Sequence, residues 1–403
     1  MRPSSGSTSS TCGAQPLPPE PVAIVAAGVV TPIGLDLDAF WSGLLAGADG
    51  LSVIERFATD DLKIRRGGEI KKLPAVAQAV RSRAAALLVA AATDLAARAS
   101  LEAEPARIAV IVGTALGGVE ELDHALTLDP TPRRALDGLY DSPAQALATW
   151  LGACGPVLTV SSACASGATS LGLGADLLRD DVVDLVVAGG YDVLCRFVMR
   201  GFDALRSLAR ERVRPFDRRR TGLLLGEAAG LVLLARERDV RGPRLGRLLG
   251  HGSASDASHI AAPDAHGRGL ESAIRAALAA GGVSVDDLEF VSAHGTGTVL
   301  NDRIETAVLK RVLGARAGAV PVNSIKGAIG HTMGAAATLE AIMCLLAARD
   351  GWVPPTVGYE EADADCDLDY VPGACRALRP RRMLSTSLGF GGCNAALVLE
   401  GAV

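Results

Sequence analysis

The chain has 403 residues, enough to bury one large core or two. It is 49% hydrophobic but only 3% aromatic, so small aliphatic side chains must build that core. A formal net charge of −5 argues against general nucleic-acid binding, and no apolar run is long and uninterrupted enough to span a membrane.

Residues 1–20 are polar and rich in Pro and Ser, lack the apolar core of a signal peptide, and read as a disordered tail. Val22–Val30 is a strand that ends in the turn Thr31-Pro32-Ile33-Gly34. Asp38–Leu45 reads as a helix. Residues 54–73 are charged and irregular, with Lys63, Arg65, Arg66, Lys71 and Lys72. Ala75–Ala97 has the apolar spacing of one long helix. Ile108–Gly113 is a strand, but its glycines fit neither phosphate-binding fingerprint, so no nucleotide site is read there.

Thr159–Gly167 leaves an apolar segment, passes through small residues and enters a helical stretch over 168–178. Cys164 therefore sits at a strand-to-helix corner, where a helix N-terminus favours a thiolate. Alone, such a cysteine is more readily read as a small buried hydrophobe. Leu185–Gly190 and Gly230–Ala235 are further buried strands, separated by the Arg-rich stretch 201–220.

The later part repeats this plan. Leu270–Ala280 is a helix, and Leu288–Ser292 is a strand leading to His294-Gly-Thr-Gly-Thr298. Pro321–Ser324 leads to Lys326-Gly-Ala-Ile-Gly-His331, and an Ala-rich helix follows over 335–348. Leu384–Gly392 closes with the loop Gly389-Phe390-Gly391-Gly392. The alternation indicates an α/β protein of two similar halves, 21–246 and 247–403, with a site where strand-end loops converge. Eight scattered cysteines form no Cys-x-x-Cys pair, which signals neither zinc nor a disulfide framework and fits a reducing cytoplasm.

Cys164, His294, His331, Lys326 and Glu305 fall on or next to such loops. A metal site lacks zinc spacing. A Cys–His hydrolase needs one imidazole and leaves the other, and Lys326, unexplained.

Four segments in order, Ser162-Ala-Cys-Ala-Ser-Gly167, Ala293-His-Gly-Thr-Gly-Thr298, Lys326-Gly-Ala-Ile-Gly-His-Thr-Met-Gly-Ala-Ala336 and Gly389-Phe-Gly-Gly-Cys-Asn394, resemble the signatures of elongating, Cys-His-His β-ketoacyl-[acyl carrier protein] synthases. The resemblance covers about residues 21–399, and Arg214-Pro-Phe-Asp217 and Leu225-Gly-Glu-Ala-Ala-Gly230 fit it too. It implies a thiolase fold, layered αβαβα, usually paired as a dimer, and no metal or cofactor. It implies Cys164 as the acyl-carrying nucleophile, and backbone N–H groups of Cys164 and Phe390 as the oxyanion hole. His294 and His331 would be donors to the malonyl enolate, Lys326 held by Glu305 would fix the local field, and Phe390 would gate the sulfur.

The same resemblance implies an acidic acyl carrier protein as partner, docked on basic residues such as Lys63, Arg65, Arg66, Arg133, Arg134 and Arg206. The alternative it leaves is a non-catalytic or partner-dependent subunit that shapes chain length in a heterodimer with a chain-length factor. Leu223 and Leu388 stand where relatives carry aromatics and are expected to alter the acyl pocket. Cys393 replaces a usual Thr and reads as a packing residue.

Overall fold

The computed structural model describes residues 20–127 and 131–402, so the expected tail lies outside it apart from Glu20. Among the described residues, ten strands pair edge to edge. In chain order they are β1 (Val22–Val30), β2 (Ile108–Gly113), β3 (Val157–Val160), β4 (Leu185–Asp192), β5 (Ala228–Arg236), β6 (Gly246–Ser255), β7 (Phe290–Ser292), β8 (Val322–Asn323), β9 (Arg382–Gly389) and β10 (Cys393–Gly401). The spatial order is β8-β7-β9-β10-β6-β1-β5-β4-β2-β3.

The order is a duplication. At the centre β1 and β6 pair antiparallel over three residue pairs only. Outward from β1 the steps to β5 and β4 are antiparallel, and those to β2 and β3 are parallel. Outward from β6 the steps to β10 and β9 are antiparallel, and those to β7 and β8 are parallel. Each strand of the first set thus has a counterpart five strands later in the chain.

Six helices make the remaining layers. α1 (Arg83–Ala96) and α2 (Ser142–Leu151) cover the outer face of the first half. α4 (Arg268–Gly281) and α5 (Val299–Leu313) lie on the outer side of the second. α3 (Ser166–Arg179) and α6 (Ala336–Asp350) lie between, each touching strands of both halves. This is the layered αβαβα arrangement of a thiolase fold. Every residue from Ala336 to Ala348 is buried, as expected for a helix enclosed on all sides. Glycine lets these layers close up: a Cβ on Gly113 would lie 2.3 Å from the Ser166 carbonyl at the start of α3.

Two local readings change. The single helix expected over 75–97 is two, Ala75–Gln78 and α1, because Ser82 caps α1 through its hydroxyl to the Ala85 N–H. β6 was not legible as a strand, because Gly246, Gly250 and Gly252 depress strand propensity. They are there to admit helix backbone: a Cβ on Gly252 would fall 2.2 Å from the Ala273 carbonyl of α4. Among the described residues no helix is long and apolar enough to cross a membrane.

Candidate active site

The strand ends that the duplication brings together surround one sulfur. β3 delivers the chain to Ala163, which takes a left-handed φ of +51° that a non-glycine residue adopts only under constraint. Cys164 follows, buried, two residues ahead of α3. From the other half, His331 Nε2 lies 3.0 Å from Cys164 Sγ, although the two residues are 167 apart in sequence. The Met333 N–H donates to His331 Nδ1 at 3.3 Å. That leaves the ring proton on Nε2, pointing at sulfur.

The His294 ring meets the His331 ring edge-on, with centroids 5.2 Å apart and planes at 85°. Its Nδ1 is buried without a hydrogen-bond partner. The Phe390 backbone N–H lies near Cys164 Sγ and favours its thiolate. The Phe390 ring stacks on Phe202 at 5.4 Å, and Gly391 and Gly392 after it take left-handed φ of +78° and +73° that glycine accepts without strain. Cys164, His294, His331 and Phe390 all line one cavity of about 450 Å³, together with Leu223 and Leu388.

Burial sets the protonation states. It pushes the Cys164 thiol up to about 12, against the pull of the Lys326 ammonium and with the push of Asp192. The thiolate expected from the helix N-terminus is therefore not the resting form, since loss of solvent outweighs the partial charge of the helix end. Burial, and after it the nearby Lys326 charge, holds both imidazoles well below the ordinary histidine range, so both are neutral. The resting site is a neutral thiol facing neutral rings.

Lys326 is buried and comes to the site, but its expected partner is corrected. Its ammonium donates to Glu340 of α6, not Glu305. Glu305 is instead occupied by the His294 N–H (2.7 Å), the Gly295 N–H (2.8 Å) and the Thr386 hydroxyl (2.7 Å). One turn earlier, Asp302 accepts from the N–H groups of Phe216 (2.7 Å), Thr296 (3.1 Å) and Gly297 (3.2 Å). Two carboxylates on one face of α5 thus clamp the whole His294 loop.

Asp302 and Glu340 escaped the sequence reading. Asp302 had a signal, an acid in the first turn of a helix just after a glycine loop. Glu340 had one as well, a lone charge inside an apolar helix, which must have a buried partner.

The basic residues expected to meet a carrier do not behave alike. Lys63 and Arg65 are exposed, and Arg65 also reaches the Asp60 carbonyl at 3.1 Å. Arg66 is half-buried and donates to the Leu51 carbonyl at 2.8 Å. Arg134 donates to Glu121 at 2.8 Å. Arg206 is exposed and lines the cavity itself. The Arg133 side chain lies outside the described residues.

Family models match this chain as the β-ketoacyl synthase N-terminal domain over residues 19–240 and C-terminal domain over residues 245–360. The chain belongs to the β-ketoacyl synthase family. This ketosynthase is 37% identical to the tetracenomycin polyketide synthase ketoacyl synthase alpha subunit of Streptomyces glaucescens, covering 94% of this chain and 96% of that one. It is 33% identical to the 3-oxoacyl-[acyl-carrier-protein] synthase 2 of Synechocystis, covering 94% and 97%. Its structure superposes on the ishigamide ketosynthase/chain length factor with a TM-score of 0.89 at 32% identity, over 96% of this chain and all of that one. It is thus an acyltransferase-type enzyme of the fatty-acid and type II polyketide kind.

Proposed function

We propose that this ketosynthase is catalytically competent and performs decarboxylative condensation of a malonyl-carrier thioester with an acyl group held on Cys164. The observation that carries the reading is the 3.0 Å contact between Cys164 Sγ and His331 Nε2, with His294 edge-on to the same ring. A subunit that only shaped chain length would have no use for a nucleophile in this setting.

The first half-reaction forms a bond from Cys164 sulfur to the acyl carbonyl carbon. The carrier thiol leaves with the proton that Cys164 gives up. The backbone N–H groups of Cys164 and Phe390 are the donors for the oxyanion. Malonyl thioester then loses CO₂, and the electron pair of the broken C–C bond becomes an enolate. His294 and His331 each offer it an N–H, donors worth about 3 kcal/mol apiece when aimed at developing charge. The enolate carbon bonds to the acyl carbon, expels Cys164 as thiolate and leaves a 3-oxoacyl product on the carrier. Neutral rings suit this role, since each has one N–H to give and no charge to desolvate.

The partner of the reaction is an acyl carrier protein, as in the name of the Synechocystis relative. Lys63, Arg65 and Arg206 remain the residues for its acidic face, because they are exposed, whereas Arg66 is half-buried against the Leu51 carbonyl and Arg134 is paired with Glu121. A chain-length partner is favoured by the likeness to a ketosynthase/chain length factor, and by the open sheet edge at β3, where Leu158 is 37% exposed. Malonyl-carrier decarboxylation and acyl transfer to Cys164, read by intact mass, test the function. Wild-type protein that does neither with any acyl carrier refutes it. Solution mass of the protein alone separates a homodimer from a subunit awaiting its partner.

A further inference from the structure

Asp192, the last residue of β4, is fully buried and has no part in the chemistry just described. Its carboxylate accepts four hydrogen bonds. Three come from the loop after β2 in its own half: the Thr114 hydroxyl (2.7 Å) and the N–H groups of Ala115 (2.8 Å) and Leu116 (3.1 Å). The fourth crosses to the other half, from the Gly334 N–H at 2.6 Å.

Both ends of that bridge lead to the reacting pair. Gly334 lies three residues past His331, and between them Met333 holds a left-handed φ of +49° while its N–H fixes His331 Nδ1. On the other side, the Thr114 carbonyl accepts from the Ser166 hydroxyl at 3.3 Å, and Ser166 also caps the Cys164 corner by accepting the Ser162 N–H at 3.0 Å. The turn is built for contact: a Cβ on Gly334 would fall 2.8 Å from Asp192 Oδ2 and 2.6 Å from Thr114 Cα.

We propose that Asp192 is a positioning residue of this site, a single carboxylate that ties the turn carrying His331 to the loop that seats Cys164. It sets the distance between two groups that no continuous element connects. Its charge has a second consequence. The charged groups acting on the sulfur are Lys326, which favours the thiolate, and Asp192 and Glu340, which oppose it; the two imidazoles beside it are neutral. Burial pushes the Asp192 carboxyl up to about 6, so it is ionised at neutral pH and helps keep the thiol protonated.

This inference rests on His331 serving the malonyl half-reaction, so its test has one arm that does not. In Asp192→Asn an amide N–H replaces the acceptor facing Gly334 and Ala115. The kcat for malonyl-carrier decarboxylation should fall about tenfold or more, since small misplacements of a reacting group cost that much, with KM little changed. Alkylation of Cys164 by iodoacetamide should move to lower pH, because a negative charge has left its surroundings. Asp192→Glu keeps the charge and should lose kcat without moving the alkylation profile. Gly334→Ala should do the same.

In Asp192→Asn, a role in folding alone would lower decarboxylation and leave the alkylation profile in place, and that result overturns the proposal. So does a wild-type kcat in Asp192→Asn. If Asp192→Asn does not fold, wild-type kcat in both Asp192→Glu and Gly334→Ala overturns it. Wild-type protein that fails to decarboxylate sinks the functional reading instead, and the alkylation arm still judges Asp192.

Discussion

Replacing Lys326 by Met removes one member of a fully enclosed ion pair. Lys326 and Glu340 are both buried, and Glu340 Oε2 already has no hydrogen-bond partner. Breaking such a pair from one side costs about 3–5 kcal/mol, because the remaining charge is left desolvated. Glu340 can escape by taking a proton. Burial already pushes its carboxyl up to about 7, with Lys326 pulling the other way. Without the ammonium it rises further above its unfolded value near 4.3.

The sign of the pH dependence follows. An acid whose folded pKa is raised costs nothing while protonated in both states, and destabilises as pH climbs toward the folded value. The deficit of Lys326→Met relative to wild type should therefore be smallest near pH 6 and grow above pH 7, by up to about 1.4 kcal/mol per pH unit. Urea unfolding at pH 6, 7, 8 and 9 measures it. Lys326→Met/Glu340→Gln should recover most of the loss at pH 8, because no charge remains to be buried. A deficit that stays flat with pH, or a double variant no more stable than the single one, would refute the reasoning.

Asp302→Ala strips acceptors from three backbone N–H groups around the His294 loop. At about 1–3 kcal/mol for each orphaned donor, thermal unfolding should show a loss of roughly 3 kcal/mol or more, and decarboxylation should fall with it. Leu223→Phe places a larger side chain at the cavity wall. It should reduce transfer of the longest acyl groups to Cys164, read by intact mass across a chain-length series, while malonyl decarboxylation stays near wild type. Both imidazoles are held below the ordinary histidine range by burial and Lys326. The pH–rate profile of decarboxylation should therefore show no ionisation that His294→Asn or His331→Asn removes, and any limb near pH 6 should follow Asp192. The imidazoles' own contribution to folding stability should decline as pH drops below about 6.5, where the unfolded chain takes up protons that the buried rings refuse; buried acids with raised pKa, such as Glu340 and Asp192, act in the opposite sense over the same range.

Much was legible from sequence because it is written in local patterns. Apolar runs marked β1, β2, β4 and β5, and Cys164, His294, His331 and Phe390, set among small residues, stood at the ends of strands or the starts of helices. Those residues marked a candidate site, and the four motifs in order carried the resemblance that named its chemistry, since a nucleophile and its donors need fixed corners on rigid elements. The repeat was visible too, as two small-residue loops each followed by a small-residue helix.

What the sequence could not carry was every relation that crosses the halves. Nothing near Lys326 tells it to pair with Glu340 rather than Glu305, because the choice depends on which face of α6 turns inward once both sheets have closed on it. Nor does any local pattern announce Asp192, whose carboxylate becomes a bridge only when Gly334 arrives from another strand set. The protonation of Cys164 was misjudged for the same reason. A helix end is a local feature and favours the anion, but burial is a property of the assembled interior, and in a site closed by both halves it decides the outcome.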